Sequence, residues 1–244
     1  MKMKLRTLLA TVVLVLTGVA AAIAPAAAGV ATTSHAKAPR VVALAQPLSV
    51  RAAVAGSPLT VAAAPRASSP TTSFAPTTDF GSVRVLLATA HKGKWYRVSL
   101  PTRPNGSTGW VRARDVTVRA LRDEVHVDLA AHMLTWRRDG QVVLESPVAI
   151  GAPDTPTPAG AFFVTDLLDN ADDFGAYGPL SMGTSAHSDQ LTDFAGGDGQ
   201  IGIHGTNDPS SIGQSVSHGC VRVPNDVITQ LANGLPLGTP VIIG

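Results

Sequence analysis

From residue 58 onward the chain is cut into short Val- and Leu-rich runs by clusters of Gly, Pro, Asn and Asp. Such punctuation leaves room for strands of about five residues and for little helix. Apolar residues make up 45% of the chain but aromatics only 5%, so a core must be built mostly from Val, Leu, Ile and Ala. The expectation is a mainly β protein.

Two segments precede this β region. Lys2, Lys4 and Arg6 lead into the apolar run Leu8–Val19, and Ala26-Ala27-Ala28 offers an Ala-x-Ala cleavage site. Residues 1–28 therefore read as a secretory signal peptide, with an uncleaved anchor as the alternative. Residues 29–57, rich in Ala, Pro, Val and Ser, read as a flexible or extended linker with a weak strand signal at Val41–Leu44. Removing the signal peptide leaves 16 Lys and Arg against 17 Asp and Glu, so the mature chain is near neutral. No basic block suits nucleic acid, and no run after residue 30 suits stable membrane insertion.

Residues 58–119 read as a small all-β module of about five strands. Lys94–Leu100 alternates sides, with Trp95, Arg97 and Ser99 opposite Tyr96, Val98 and Leu100. Trp95 and Trp110 are expected as packing anchors of this module rather than ligand contacts. In residues 121–244, Asp139-Gly140 marks a hairpin. The three prolines of 151–159 exclude helix and central strand there, and 168–200 reads largely as loop. Asn225–Asn233 reads as the one helix, with Asn225 as its N-cap and Gly234 ending it.

Cys220 is the only cysteine, in Ser217-His218-Gly219-Cys220-Val221-Arg222, and so has no disulfide partner within the chain. A second histidine stands in Ile203-His204-Gly205-Thr206-Asn207. An ordinary thiol with a pKa of about 8.5 is mostly protonated near neutrality, so a nucleophilic cysteine needs a base, charge or dipole beside it. His204 and His218 are candidate bases. Gly219 permits a sharp turn that aims backbone N–H groups at an oxyanion. Arg222, two residues beyond Cys220, lies on the same face if the segment is extended and could clamp a carboxylate. Alternatively, His204, His218 and Cys220 could be three zinc ligands, although no CxxC or HExxH pattern accompanies them. His187, before the motif, is a further candidate for substrate contact. Asp172-Asp173 reads as a solvated loop, and Gly196-Gly197-Asp198-Gly199 as a turn rather than a phosphate loop.

The two halves of this motif, Ile203–Asn207 and Ser217–Arg222, resemble the signature of the L,D-transpeptidase (YkuD) catalytic domain. Support comes from Thr155-Pro156-Thr157-Pro158-Ala159-Gly160 and from Ala195–His204. Gly93–Val98 and Gly109–Val116 resemble a bacterial SH3-like module. The resemblance implies an SH3-like barrel followed, over 121–244, by an L,D-transpeptidase-type β-sandwich with one short helix. It implies Cys220 as nucleophile, His204 as general base and acid, and the Gly205 carbonyl as its orienting acceptor. Gly219 and Cys220 would supply oxyanion N–H groups, Ser217 and His218 would shape the site, and Arg222 with Gly205 would bind substrate. The implied substrates are peptidoglycan peptide stems in the cell wall or an equivalent exported space. Carbapenem β-lactams are implied as inhibitors, and no cofactor or metal is needed. The competing readings are a peptidoglycan-binding protein that has lost activity and a zinc-dependent hydrolase.

Overall fold

The structure, a computed structural model, describes residues 40–170, 175–193 and 197–244. The expected signal peptide at 1–28 and the start of the linker lie outside the described residues.

Seven strands form the first sheet: β1 (Val42–Ala52), β2 (Leu59–Ala62), β3 (Thr71–Phe74), β4 (Leu86–Lys92), β5 (Trp95–Ser99), β6 (Thr108–Arg112) and β7 (Val116–Ala120). Their order is β3-β2-β6-β5-β4-β1-β7, with β3 and β7 at the ends. The linker expected through residue 57 is corrected here. Residues 42–52 are a strand set between β4 and β7, and Val50 is fully buried. The sequence signal was weak because Val50 is the one fully buried anchor of β1 and the rest of the strand is exposed or only partly buried. The tryptophans also depart from expectation. The apolar cluster of this sheet is Val50, Leu59, Val61, Leu86, Leu87, Val98, Val111 and their neighbours, while Trp95 and Trp110 stay half-buried outside it.

The second sheet is built from β8 (Asp123–Asp128), β9 (Met133–Arg138), β10 (Gln141–Pro147), β12 (Gly160–Asp169), β13 (Leu180–His187), β14 (Gln200–His204), β16 (Val221–Arg222) and β17 (Pro240–Ile243). Their order is β10-β9-β8-β17-β12-β13-β14-β16, and β11 (Ile150–Gly151) pairs separately with β15 (Ser215–Ser217). Asp139 and Gly140 both adopt positive φ, the conformation of the tight hairpin turn expected between β9 and β10. The stretch 168–200 is not wholly loop, because it contains β13. That strand, Leu-Ser-Met-Gly-Thr-Ser-Ala-His, buries small and hydroxyl side chains instead of branched apolar ones, which hid its period.

The helix α1 (Asn225–Gly234) buries Val227, Ile228 and Leu231 and packs on β13 and β14. Each such side chain contributes about 1.5–3 kcal/mol when fully buried. Asn225 does not cap it. Pro224 holds the N-cap position without a side-chain bond, and Asn225 Oδ1 accepts the Thr206 N–H at 2.8 Å instead. The helix start is thereby tied to the segment that follows β14.

The two sheets are joined as well as adjacent. Phe163, on β12, is fully buried in the apolar cluster of the first sheet. Arg103 donates to the carbonyls of Ser188 and Asp198, both at 2.6 Å, and Asn105 exchanges two hydrogen bonds with the His187 backbone. Phe163→Ala should lower the stability of the whole chain by about 3–5 kcal/mol in denaturant unfolding. A loss below about 1 kcal/mol would show that Phe163 does not bridge the two cores.

Candidate active site

Strand β16 is only two residues long, and its pairing decides the geometry. It runs parallel to β14 with Ile203 opposite Val221 and His204 opposite Arg222. Ile203 and Val221 are buried in the core, as are Ile201 and Val223. Side chains alternate along a strand, so Gly202 and His204 emerge on the other face, together with Cys220 and Arg222. Apolar residues on one face therefore place the motif residues on the opposite face.

Gly202 has no side chain, and its N–H donates to Cys220 Sγ at 3.3 Å. The His204 Nδ1–H donates to the Gly205 carbonyl at 2.6 Å. That bond selects one tautomer and leaves the Nε2 lone pair as the basic site. A Cβ on Gly205 would stand 2.3 Å from Asn225 Oδ1, so any larger residue there would displace either the helix start or the His204 acceptor. Thr206, the next residue, is held by the same Asn225 oxygen.

The turn before Cys220 is clamped from behind. Gly219 has φ +117°, and a Cβ there would meet Ile201 Cδ1 at 2.9 Å. Ser217 is buried; its hydroxyl donates to the Cys220 carbonyl at 2.5 Å and accepts the Gly219 N–H at 3.1 Å. The Gly219 N–H, expected as an oxyanion donor, is thus engaged within the turn, because the Ser217 hydroxyl folds back over it. Thr157 Oγ1 donates to the Gly219 carbonyl and accepts the Gly151 N–H, both at 2.8 Å. Thr155 Oγ1 donates to the Ser217 carbonyl at 3.0 Å. Sequence reasoning noted the Thr-Pro-Thr-Pro segment but assigned it no task, since a hydroxyl-to-carbonyl bond across 62 residues leaves no local signal.

Electrostatics favour an uncharged resting pair. Burial pushes the Cys220 thiol above its ordinary pKa, against opposing pulls from the Gly202 N–H and the Arg222 charge. Burial also lowers His204 to about 4; the Gly205 bond opposes this and the Arg222 charge adds to it. Arg222 acts on both groups, and its Nε is buried without a hydrogen-bond partner among the described residues. A buried guanidinium nitrogen of this kind is suited to an incoming anion.

Tyr177 is a residue that sequence reasoning did not single out. Its ring centroid lies 4.6 Å from that of His204 at 57°. Burial raises its phenol pKa, and the neighbouring Cys220 raises it further. His218 is exposed beside the turn. His187, a candidate for substrate contact, is buried at the end of β13, with Nε2 3.0 Å from Asp198 Oδ2. The reason is that its backbone docks on Asn105 of the first module. Among the described residues no three His, Cys, Asp or Glu side chains converge to hold a metal ion, so His204, His218 and Cys220 do not form the alternative zinc set.

A sequence profile of the L,D-transpeptidase catalytic domain (YkuD) matches residues 122–243. A Bacillus subtilis (strain 168) protein described as a candidate L,D-transpeptidase, YkuD, is 32% identical over 151 residues, which are 59% of this chain and 83% of that protein. Its namesake in Bacillus licheniformis is 36% identical over 120 residues, 49% of this chain and 64% of the relative. Among solved structures, the E. faecium L,D-transpeptidase catalytic domain acylated by ertapenem is 28% identical, covers 52% of this chain and 99% of its own, and gives a TM-score of 0.38. The profile over 122–243 and the Bacillus subtilis relative establish that the chain belongs to the L,D-transpeptidase (YkuD) family of acyl-transferring enzymes.

Proposed function

We propose that this chain is an exported enzyme that cross-links or trims peptidoglycan, with Cys220 as its nucleophile and His204 as its base. One observation carries the reading: the β14–β16 register sets Cys220, His204 and Arg222 on one face, clear of the core. In the first half-reaction the Cys220 thiol gives its proton to His204 Nε2. Sγ then attacks the carbonyl of the third residue of a tetrapeptide stem. The oxyanion draws on the Cys220 N–H, since the Gly219 N–H is bonded to Ser217. When the C–N bond breaks, His204 returns the proton to the departing D-alanine amine and a thioester remains. An amine of a neighbouring stem, or water, next attacks the thioester, passing a proton through His204 to the regenerated thiol. The Gly202 N–H and the Arg222 charge stabilise the transient thiolate. Arg222 also offers a partner for a stem carboxylate. Carbapenems present a strained amide carbonyl to the same thiol and are proposed as inhibitors.

Incubating the mature chain with a tetrapeptide stem ending in D-alanine tests this reading. Wild type should release D-alanine and yield stem-to-stem or hydrolysed product. Cys220→Ala should release none, and His204→Ala should be slower by about 10²–10⁴-fold, the usual contribution of a positioned acid–base group. D-Alanine release by Cys220→Ala, or activity lost to a chelator, would overturn the assignment.

The neutral resting pair predicts weak thiol reactivity in the absence of substrate. Alkylation of Cys220 by iodoacetamide should stay slow near pH 7 and rise only above the range of an ordinary thiol, about 8.5. Fast alkylation at pH 6 would instead indicate a standing thiolate–imidazolium pair. Stability should show the matching sign. Below pH 6.5 the unfolded chain protonates His204 first, so stability is lost as pH falls toward about 4. Of the acid destabilisation between pH 7 and pH 4.5, about 2–3 kcal/mol should disappear in His204→Gln.

A further inference from the structure

The near-neutral total charge conceals a sharp division. Residues 40–122 hold twelve Lys and Arg but only Asp79 and Asp115 as acids, a formal charge of +10. Residues 123–244 hold only Arg137, Arg138 and Arg222 against fifteen acids, a formal charge of −12. Few of the first module's cations are neutralised locally. Arg122 pairs with Asp139, Arg114 with Asp115, and Arg103 and Arg84 donate to backbone carbonyls. Lys92, Lys94, Arg97, Arg112 and Arg119 form no ion pair among the described residues.

Four residues convert this charge into a patterned surface. On the outer face of β5 and β6, Trp95 stands opposite Arg112 and Arg97 opposite Trp110. Aromatic ring and cation therefore alternate both along each strand and across the pair. The inner side of the same strands carries the buried Val98 and Val111. The Arg112 guanidinium sits 5.0 Å from the Trp95 ring centroid, and Lys92 of β4 is the next neighbour opposite Trp95. A recess of about 250 Å³ opens beside this face between Trp95, Tyr96, His91 and Leu44. Trp95 and Trp110 stay outside the buried cluster, each only partly buried and each paired across the strands with an arginine.

We propose that this face binds an acidic polysaccharide, with sugar rings stacked on Trp95 and Trp110 and the anionic groups held by Arg97, Arg112 and Lys92. Cross-strand neighbours stand about 5 Å apart, close to the length of one hexose unit. Arginine forks match carboxylate geometry, and tryptophan faces suit the apolar faces of sugars. The acidic second module repels a polyanion and confines it to the first, which keeps the Cys220 face clear for peptide stems. The choice of carbohydrate over other polyanions rests on the proposed wall substrate.

The test is a tryptophan-fluorescence titration of the mature chain with polygalacturonate, using dextran as the neutral control. Trp136 is buried, so a ligand-induced change reports Trp95 and Trp110. Polygalacturonate should bind saturably and weaken with salt, and dextran should not bind. The double variant Arg97→Gln/Arg112→Gln should lose about tenfold in affinity, as expected for two charge-assisted contacts. The slope of log affinity against log salt should shrink by about 1.5. Arg51→Gln/Arg119→Gln removes the same charge on the β1–β7 pair and should change affinity less than about threefold if contacts rather than net charge decide. Equal weakening by both doubles would overturn the proposal. So would absence of polygalacturonate binding, or equal affinity for poly(dT) or poly-glutamate. D-Alanine release from a soluble tetrapeptide should be unchanged in both doubles. Its absence in wild type would overturn the proposed reaction while leaving the polymer result to stand or fall separately.

Discussion

The parallel pairing of Ile203 with Val221 is the contact on which the site depends. Both side chains are buried in the core, so the alternate positions on each strand must face outward. A one-residue slip would turn His204 and Cys220 into the apolar core and Ile203 and Val221 out of it. Hydrophobic burial thus fixes the placement of polar chemistry. A strand as short as Val221–Arg222 cannot hold that register alone. The Ala149–Arg222 backbone pair, the Val223 N–H bond to the His204 carbonyl and the threonine clamps supply the remainder.

The same burial that fixes the geometry sets the reactivity. It raises the thiol pKa and lowers the imidazole pKa, which disfavours a thiolate–imidazolium pair at rest. Arg222 supplies an opposing field, because it favours the thiolate while disfavouring the imidazolium. In the proposed mechanism, charge develops only when an electrophile is present to take the sulfur electrons. A buried neutral thiol is also less open to adventitious alkylation and oxidation.

Much of this was legible in the sequence, for identifiable reasons. The strand-and-turn punctuation gave the mainly β class, and Asp139-Gly140 gave its hairpin because both residues tolerate positive φ. His204 and Cys220 could be named as candidate base and thiol because a nucleophilic cysteine needs a base beside it, whereas Gly205 and Ser217 entered only through the resemblance of the two motif halves to the L,D-transpeptidase signature. Strands β1 and β13 were less legible. In both, few large apolar side chains are buried, and many of the rest are exposed, small or hydroxylated. Long-range partners were also hidden. Thr157 and Asn225 act on residues far along the chain, and Tyr177 reaches His204 from a loop. Trp95 and Trp110 were misplaced because size alone suggests packing, whereas their register partners are arginines.

Peptide mapping of the mature chain after incubation with a carbapenem tests the central claim most directly. The account predicts a single covalent adduct on the peptide containing Cys220, strongly slowed when His204 is replaced. An adduct on any other residue, or an undiminished rate in His204→Ala, would contradict the nucleophile–base pair that the β14–β16 register is proposed to build.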